Sequence, residues 1–262
     1  MDPNGTPAWP EMFPTDAIEE LRENVGLRHF SAQMMLEYIA EDRARLNPES
    51  LKFYDAEIDW KTAKITHSTF HIPHLITGAA AYWDPSSAKH GADGSVIALV
   101  LRDDKSRIAL IHDILYLRAA DNDLHPFKSQ CSDVLDFLRR HNIRHLGLET
   151  NGIGNAMPEI LRDVATKRGA AVVVQRIVNH DKKERRILNA WEPLLGTGRL
   201  FAHERIRNTP LMDEMMDWLA TGMNTHDDGL DAVAGALRLT PIPIRPRAQQ
   251  VQPLAANTNF IV

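Results

Sequence analysis

The sequence predicts an α/β fold in which a mixed five-stranded sheet is flanked by helices. Three apolar, strand-like runs follow one another between residues 78 and 118, with polar turns between them, as in an antiparallel meander. Two helix-like runs then alternate with two further apolar strands, which is the pattern of parallel βα units. The predicted order is therefore β-β-β-α-β-α-β, with more helices after it.

The three meander strands are predicted from their apolar composition and from the turns that bound them. They cover residues 78–86, 95–103 and 107–118. The loop SSAKHGADG and the turn DDKS separate these strands, and both contain residues that favour chain reversal. This spacing predicts an antiparallel pairing of each strand with the next.

The alternating part begins with a helix predicted over residues 125–142, where apolar residues recur on one face. The run at 143–150 is short and nearly all apolar, as in a strand at the centre of a sheet. A helix at 157–169 then precedes a fifth strand at 170–178. Beyond the sheet we predict helices at 181–195, 209–222 and 226–240, and a short strand within 196–203.

The first part of the chain has a different character from the rest. A Pro-rich opening is followed by helices predicted in residues 14–26 and 27–46, and Asn47-Pro48 ends the second of them. The tail is rich in Pro, Gln and Asn, a composition typical of flexible, extended chain. We therefore divide the chain into a linker or helical segment at 1–75, a compact α/β domain at 76–240 and a flexible tail at 241–262.

Composition narrows the class of protein. The chain has 262 residues, 44% of them apolar, and no run approaches the roughly 20 apolar residues of a membrane helix. A net charge of −5 argues against a general basic coat for nucleic acid, although a local basic groove is compatible with it. The single cysteine, Cys131, excludes an internal disulfide framework and a cysteine-based zinc site, so a reducing, cytosolic compartment is expected.

Carboxylates stand at the ends of predicted strands and at the start of the last helix. Asp84 lies late in the first strand, Glu149 ends the fourth, and Asp227, Asp228 and Asp231 open the helix at the end of the domain. With the first strand central and the fourth parallel to it, Asp84 and Glu149 would emerge at one edge of the sheet. The i, i+3 spacing of Asp228 and Asp231 places both on one helix face, which could cross to that edge.

Such a group of carboxylates suits Mg²⁺ or Mn²⁺, hard cations that prefer oxygen ligands. Two such ions about 3.5–4 Å apart activate a water, orient a phosphate and stabilise the leaving oxygen. Taken singly, each acid has another interpretation: Asp84 in a turn, Glu149 held by loop amides, and Asp227-Asp228 as a helix cap. Together, the acids favour a metal site, because a buried carboxylate is costly unless a cation or hydrogen bonds compensate its charge.

The order of these elements and acids resembles the ribonuclease-H-like fold. It is most similar to the C-terminal nuclease domain of the large terminase subunit of tailed bacteriophages, and the similarity runs from residue 9 to about 240. The segments that carry it are AYWDPSSAKHGADGSVIALV, LGLETNGIGNAMPEIL, DKKERRI and HDDGLDAVAGAL, of which the last is the most specific. The resemblance implies a metal-dependent nuclease.

Carried over to this sequence, the resemblance implies catalytic metal ligands at Asp84, Glu149 and Asp228, with Asp231 as a fourth ligand. Asp227 could take the place of Asp228, because the sequence does not fix which of the two faces inward. In DKKERRI, the family position of Lys183 and Arg186 implies contacts with the DNA backbone. A solvated helix face is the alternative for that basic run.

The function expected from the resemblance is a Mg²⁺- or Mn²⁺-dependent endonuclease that cuts concatemeric viral DNA during genome packaging, using two ions and little sequence specificity. Its substrate would be double-stranded DNA in the cytoplasm of an infected bacterium. Its partners would be the portal protein, the small terminase subunit and a packaging ATPase. No segment matches the phosphate loop GxxxxGK[ST], so we expect that ATPase upstream in a longer protein or on another chain.

Two other classes of function compete with this one. A Holliday-junction resolvase or transposase-like nuclease of the same fold would use similar acids, and selective cleavage of four-way junctions would distinguish it. A non-catalytic docking module, whose acidic cluster only caps a helix, would show no metal dependence.

Overall fold

The computed structural model describes residues 7, 9–18, 21, 46–60, 62–66, 76–87, 94–118, 120, 123–218 and 226–244. Its strands are β1 Lys52–Tyr54, β2 Glu57–Asp59, β3 Lys64–Thr66, β4 Gly78–Asp84, β5 Ser95–Asp103, β6 Ile108–Leu117, β7 His145–Glu149, β8 Val173–Ile177, β9 Leu200–His203 and β10 Ile242–Pro243. Its helices are α1 Pro126–Arg140, α2 Met157–Lys167, α3 Lys183–Gly196, α4 Leu211–Asp217 and α5 Asp228–Arg238. Short 3₁₀ helices cover Pro48–Ser50, Gly152–Ala156 and Glu204–Asn208.

The main sheet has the strand order β1-β9-β6-β5-β4-β7-β8, and β10 pairs with one end of β4. Strands β4, β5 and β6 form an antiparallel meander. On one side β7 and β8 continue it in parallel, with β7 beside β4. The mixed five-stranded core is therefore confirmed, including the central position of its first strand.

The sheet extends beyond the predicted five strands. On the far side of the meander, β9 runs parallel to β6, and β1 runs parallel to β9. Both β1 and β10 come from outside residues 76–240, so strands on either side of the proposed domain join its sheet. The division into three parts stays a prediction.

Helices cover both faces of the sheet, and the central strand β5 is apolar on both of its sides. Val96, Ala98 and Val100 are buried in one apolar cluster with residues of α3, α4 and α5. The alternate residues of β5, from Ile97 to Leu101, are buried in a second cluster with α1 and α2. Because side chains alternate across a strand, a strand covered on both faces is apolar throughout. The face with α5 carries the acidic residues.

The helix bounds agree with the sequence prediction to within a few residues, except in one place. Of the helix predicted at 209–222, the described residues form only α4, and Trp218 after it is extended; residues 219–222 lie outside the described residues. Residues 15–18 are helical, as predicted, whereas the helix expected at 27–46 and the tail beyond residue 244 lie outside the described residues. In the described part of the chain, no helix has the length and apolar character needed to cross a membrane.

Candidate metal centre

The parallel pairing of β4 and β7 brings two acidic strand ends together. Trp83 is in register with Leu148, so Asp84 and Glu149 follow at the same end of adjacent strands. Helix α5 packs across β4 and β5 and carries Asp228 and Asp231 in its first turn. The predicted convergence of strand ends and helix is therefore what the structure shows.

Asp84, Glu149 and Asp231 form the closest group of carboxylates. Each offers one oxygen, and these oxygens all lie within 4.8 Å of one another. Glu149 is 8% exposed and Asp231 is 3% exposed, whereas Asp84 is partly open to solvent. This spacing would let a single cation contact all three side chains.

Asp228 is adjacent to this group but its carboxylate has other partners. Its Oδ2 accepts a hydrogen bond of 2.6 Å from the backbone N–H of Gly94, and its Oδ1 lies 3.0 Å from Lys183 Nζ. The family resemblance implies Asp228 as a principal ligand and Asp231 as the fourth, whereas the structure places Asp231 inside the three-residue group. A role for Asp228 at the metal stays a prediction.

Burial and neighbouring carboxylates raise the pKa values of two acids in this group. Burial, followed by the charges of Glu149 and Asp231, raises the pKa of Asp84 well above its ordinary value. Burial also raises the pKa of Asp231 to about 7, although Arg186 and Lys183 oppose the shift. Full ionisation of this group is therefore unfavourable without further positive charge, which a bound cation would supply.

The two basic residues predicted to contact DNA point into the acidic centre. Lys183 Nζ lies 2.6 Å from Asp227 Oδ1, in addition to its contact with Asp228. Arg186 is 8% exposed; its Nη2 lies 2.5 Å from Asp231 Oδ2, and its Nη1 lies 3.4 Å from both oxygens of Glu149. The surplus of carboxylates accounts for this placement. A contact between either residue and DNA stays a prediction.

Glu149 is also held by two neutral residues that the sequence analysis did not identify. Tyr82 Oη donates to Glu149 Oε2 at 2.6 Å, and Asn179 Nδ2 donates to the same oxygen at 3.0 Å. Tyr82 precedes Asp84 by two residues, so the strand period alone could have placed it on the same face. Asn179 follows β8, and only the pairing of β8 with β7 brings it to Glu149.

Glu214 organises the start of α5. Its Oε2 accepts a hydrogen bond of 3.0 Å from Leu230 N, and Tyr116 Oη donates to its Oε1 at 3.0 Å. Asp227, which precedes the helix, makes no capping hydrogen bond with its side chain. Asp227 therefore occupies the N-cap position without the side-chain hydrogen bond that the capping alternative for Asp227-Asp228 would require of it. A buried carboxylate from α4 satisfies the first-turn N–H groups instead.

The residues present fit a hard divalent cation. Three carboxylate oxygens converge, burial and mutual repulsion raise the pKa values of two of the acids, and such oxygens are the ligands that Mg²⁺ and Mn²⁺ favour. The donor set is thus chemically suited to a metal.

Comparison with known proteins identifies a family. The model of the family "Terminase Bacteriophage T7, Ribonuclease H-like domain" matches residues 57–200, which is more than half of the chain. That range contains Asp84, Glu149, Lys183 and Arg186, while Asp228 and Asp231 lie beyond it. No curated protein matches.

Solved structures with a similar fold include terminase nuclease domains. The human cytomegalovirus terminase nuclease domain is 12% identical, with 76% of this chain and 93% of that chain covered at a TM-score of 0.49. The P22 large terminase nuclease domain is 11% identical, with 75% and 92% covered at 0.48. Thermus thermophilus RuvC with a Holliday junction substrate is 13% identical, with 61% and 90% covered at 0.38. On the strength of the family match, this chain belongs to the terminase ribonuclease H-like family.

Proposed function

We propose that the chain is a divalent-metal-dependent DNA endonuclease that hydrolyses phosphodiester bonds. The observation that carries the proposal is the convergence of Asp84, Glu149 and Asp231 on oxygens within 4.8 Å of one another. It occurs at the carboxyl ends of parallel strands, in a chain of a terminase family. A purely structural cluster would not need three carboxylates so close together, because each raises the cost of ionising the others.

In this proposal Asp84, Glu149 and Asp231 hold Mg²⁺ or Mn²⁺, and Asp228 joins them if a second ion binds. Bound ions would supply activation of water and stabilisation of the leaving oxygen. The protein orients two of these carboxylates: Tyr82 and Arg186 both contact Glu149, and Arg186 also contacts Asp231. Lys183, which contacts Asp228, lies where it could meet a phosphate oxygen.

The family match is the basis on which we propose a biological setting. We propose that the substrate is concatemeric double-stranded viral DNA, cut with little sequence specificity during genome packaging in the bacterial host cytoplasm. A packaging ATPase, the portal protein and the small terminase subunit are the proposed partners. The family match supports this setting because the matching model is that of a terminase domain.

Cleavage of supercoiled plasmid tests the proposal. Wild-type protein is expected to nick and linearise plasmid with Mn²⁺ or Mg²⁺ and to be inactive in EDTA. Asp84→Asn and Asp231→Asn are expected to abolish cleavage while remaining folded. Asp217→Asn, which changes an exposed acid at the end of α4, is the matched control and should cleave like wild type.

Three results would contradict the proposal or change it. Cleavage that persists in both folded site variants would remove the acidic group from the reaction. Absence of metal-dependent cleavage by wild type would favour a docking module. A strong preference for a synthetic four-way junction over linear duplex would replace the packaging nuclease with a junction resolvase.

A further inference from the structure

We propose that Asn179 is a positioning residue of the metal centre, which fixes Glu149 so that only its Oε1 faces the cation, and that Asn151 holds Asn179 in place. The inference rests on the proposed metal-dependent function. It adds two residues that lie outside the acidic group and assigns a binding mode to Glu149.

The two oxygens of Glu149 have unequal surroundings. Oε2 accepts hydrogen bonds from Tyr82 Oη at 2.6 Å and from Asn179 Nδ2 at 3.0 Å. Within the described part of the chain, the hydrogen bond that reaches Oε1 is the 3.4 Å contact from Arg186 Nη1, which Oε2 shares. An oxygen with two good donors has used its lone pairs, so Oε1 is the oxygen left for a cation. Glu149 would therefore bind through one oxygen.

Asn179 is one of the two donors to Glu149 Oε2, and it also contacts the other donor, Tyr82. Its Nδ2 also lies 2.9 Å from Tyr82 Oη, so a single side-chain amide contacts both the carboxylate and the tyrosine hydroxyl that fixes it. Tyr82 approaches Oε2 from strand β4, and the Asn179 amide approaches it from the segment that follows β8. Rotation of Glu149 toward a two-oxygen binding mode would break both hydrogen bonds at once.

Asn151 explains how Asn179 keeps its position. Asn151 Nδ2 donates to the carbonyl oxygen of Asn179 at 2.7 Å, and Asn151 Oδ1 accepts from Asn179 N at 2.9 Å. These two bonds fix the amide orientation of Asn151, since its donor and its acceptor each meet a complementary backbone group. They join the loops that follow β7 and β8, the same strands whose ends frame the site. The clamp runs from Asn151 to Asn179 to Glu149.

Positioning and simple structural support make different predictions. If Asn179 only joined two loops, its loss would lower the folded fraction without changing the metal affinity of the folded molecules. If Asn179 orients Glu149, the metal affinity itself falls, because residues that orient ligands typically contribute about 10- to 100-fold to metal binding. The metal concentration that gives half of the maximal cleavage rate reports the metal affinity of the folded molecules. A smaller folded fraction lowers the maximal cleavage rate instead.

The experiment measures Mn²⁺ binding by isothermal titration calorimetry, and the Mn²⁺ dependence of plasmid cleavage, for wild type, Asn179→Ala and Asn151→Ala. We expect Asn179→Ala to raise both the Kd for Mn²⁺ and the half-saturating Mn²⁺ concentration by about 10-fold. The cleavage rate at saturating Mn²⁺ should fall much less. Asn151→Ala should shift both quantities in the same direction by a smaller factor. Asn208→Ala, at an exposed asparagine, is the matched control and should leave both unchanged.

The result that would overturn the inference is an unchanged Kd in folded Asn179→Ala. If Asn179→Ala does not fold, as judged by thermal unfolding, Asn151→Ala decides the question, and an unchanged Kd there overturns the inference. Failure of the proposed function looks different: wild type itself would then show no Mn²⁺ binding that Asp84→Asn abolishes.

Discussion

Arg186 sets the charge balance of the centre at the scale of single residues. Its guanidinium contacts Glu149 and Asp231, and all three side chains are buried. A buried ion pair adds little net stability when it is intact, but loss of one partner leaves an uncompensated buried charge. The intact ion pairs of Arg186 therefore add little net stability, whereas removal of Arg186 destabilises the fold because Glu149 and Asp231 stay buried without their counter-charge.

Replacement of this arginine tests that reasoning. Arg186→Gln should lower the free energy of unfolding in EDTA by about 3–5 kcal/mol, the usual cost of breaking a buried pair. Added Mn²⁺ should recover part of the loss, because a cation replaces the missing charge. Urea unfolding with and without Mn²⁺ measures both effects.

The neighbouring residue provides the control. Arg185 carries the same side chain but is exposed, so Arg185→Gln should change the free energy of unfolding by no more than about 0.5 kcal/mol. Equal losses in the two variants would show that the buried pairs of Arg186 do not hold the carboxylates together.

Residue-scale prediction from sequence succeeded where a residue's role depends on its own strand. Asp84 and Glu149 were found because each ends an apolar run, and parallel pairing then places them at one edge. Asn179 was missed because its contact with Glu149 depends on which loops become neighbours after folding. The family resemblance implies Asp228 ahead of Asp231, and helix spacing alone does not show that Lys183 and Gly94 engage the carboxylate of Asp228.

At the scale of elements, the start of α5 depends on a carboxylate from another helix. Glu214 of α4 accepts from Leu230 N, and Tyr116 of β6 donates to it. Gly229 makes this close approach possible, since a Cβ there would lie 1.9 Å from Tyr116 Oη. Two elements, α4 and β6, thus fix the first turn of α5, and with it Asp228 and Asp231.

The titration of Glu214 gives a prediction for stability. Burial raises the pKa of Glu214 from 4.5 to about 7. Between these values the folded chain keeps a proton that the unfolded chain has released, so Glu214 lowers stability as pH rises through the window. Glu214→Gln, which keeps an acceptor for Leu230 N, should therefore gain stability relative to wild type by up to about 3 kcal/mol between pH 4 and pH 8.

Chemical unfolding of both proteins across this pH range measures the difference. Asp213→Asn, which changes the exposed acid just before Glu214, is the control, and its stability should vary with pH as that of wild type does. A pH-independent difference between Glu214→Gln and wild type would mean that Glu214 ionises normally in the folded chain.

Element prediction from sequence worked where runs were long enough to show a period. Strand β5 covers nine residues and α1 covers fifteen, and both were found with nearly correct bounds. Strand β1 has three residues and β10 has two, which is too short for a period to appear. Their positions depend on pairing with Leu200–His203 and with the start of β4, contacts that are remote in sequence.

At the scale of the whole molecule, two apolar clusters cover the faces of the sheet and stabilise the fold. The acidic group lies at one edge of the sheet, where its burial opposes folding. Burial and neighbouring carboxylates raise the pKa of Asp84, so its ionised form is disfavoured in the metal-free protein. Stability is commonly reduced at such sites in exchange for function. The fold tolerates the cluster because the rest of the sheet is apolar and closely packed.

The raised pKa of Asp84 predicts that wild type and Asp84→Asn differ in stability in opposite directions without and with metal. In EDTA near pH 7, Asp84→Asn should unfold at a temperature about 2–4 °C above wild type, the shift expected for roughly 1 kcal/mol in a chain of this size. With Mn²⁺ at 100 times its Kd, binding should stabilise wild type by about 2.7 kcal/mol, whereas Asp84→Asn should gain much less. The order of the two unfolding temperatures should therefore reverse when metal is added. If Asp84→Asn is less stable than wild type in EDTA, Asp84 contributes to the fold itself rather than opposing it, and if Mn²⁺ raises both temperatures equally, the ion does not bind at Asp84.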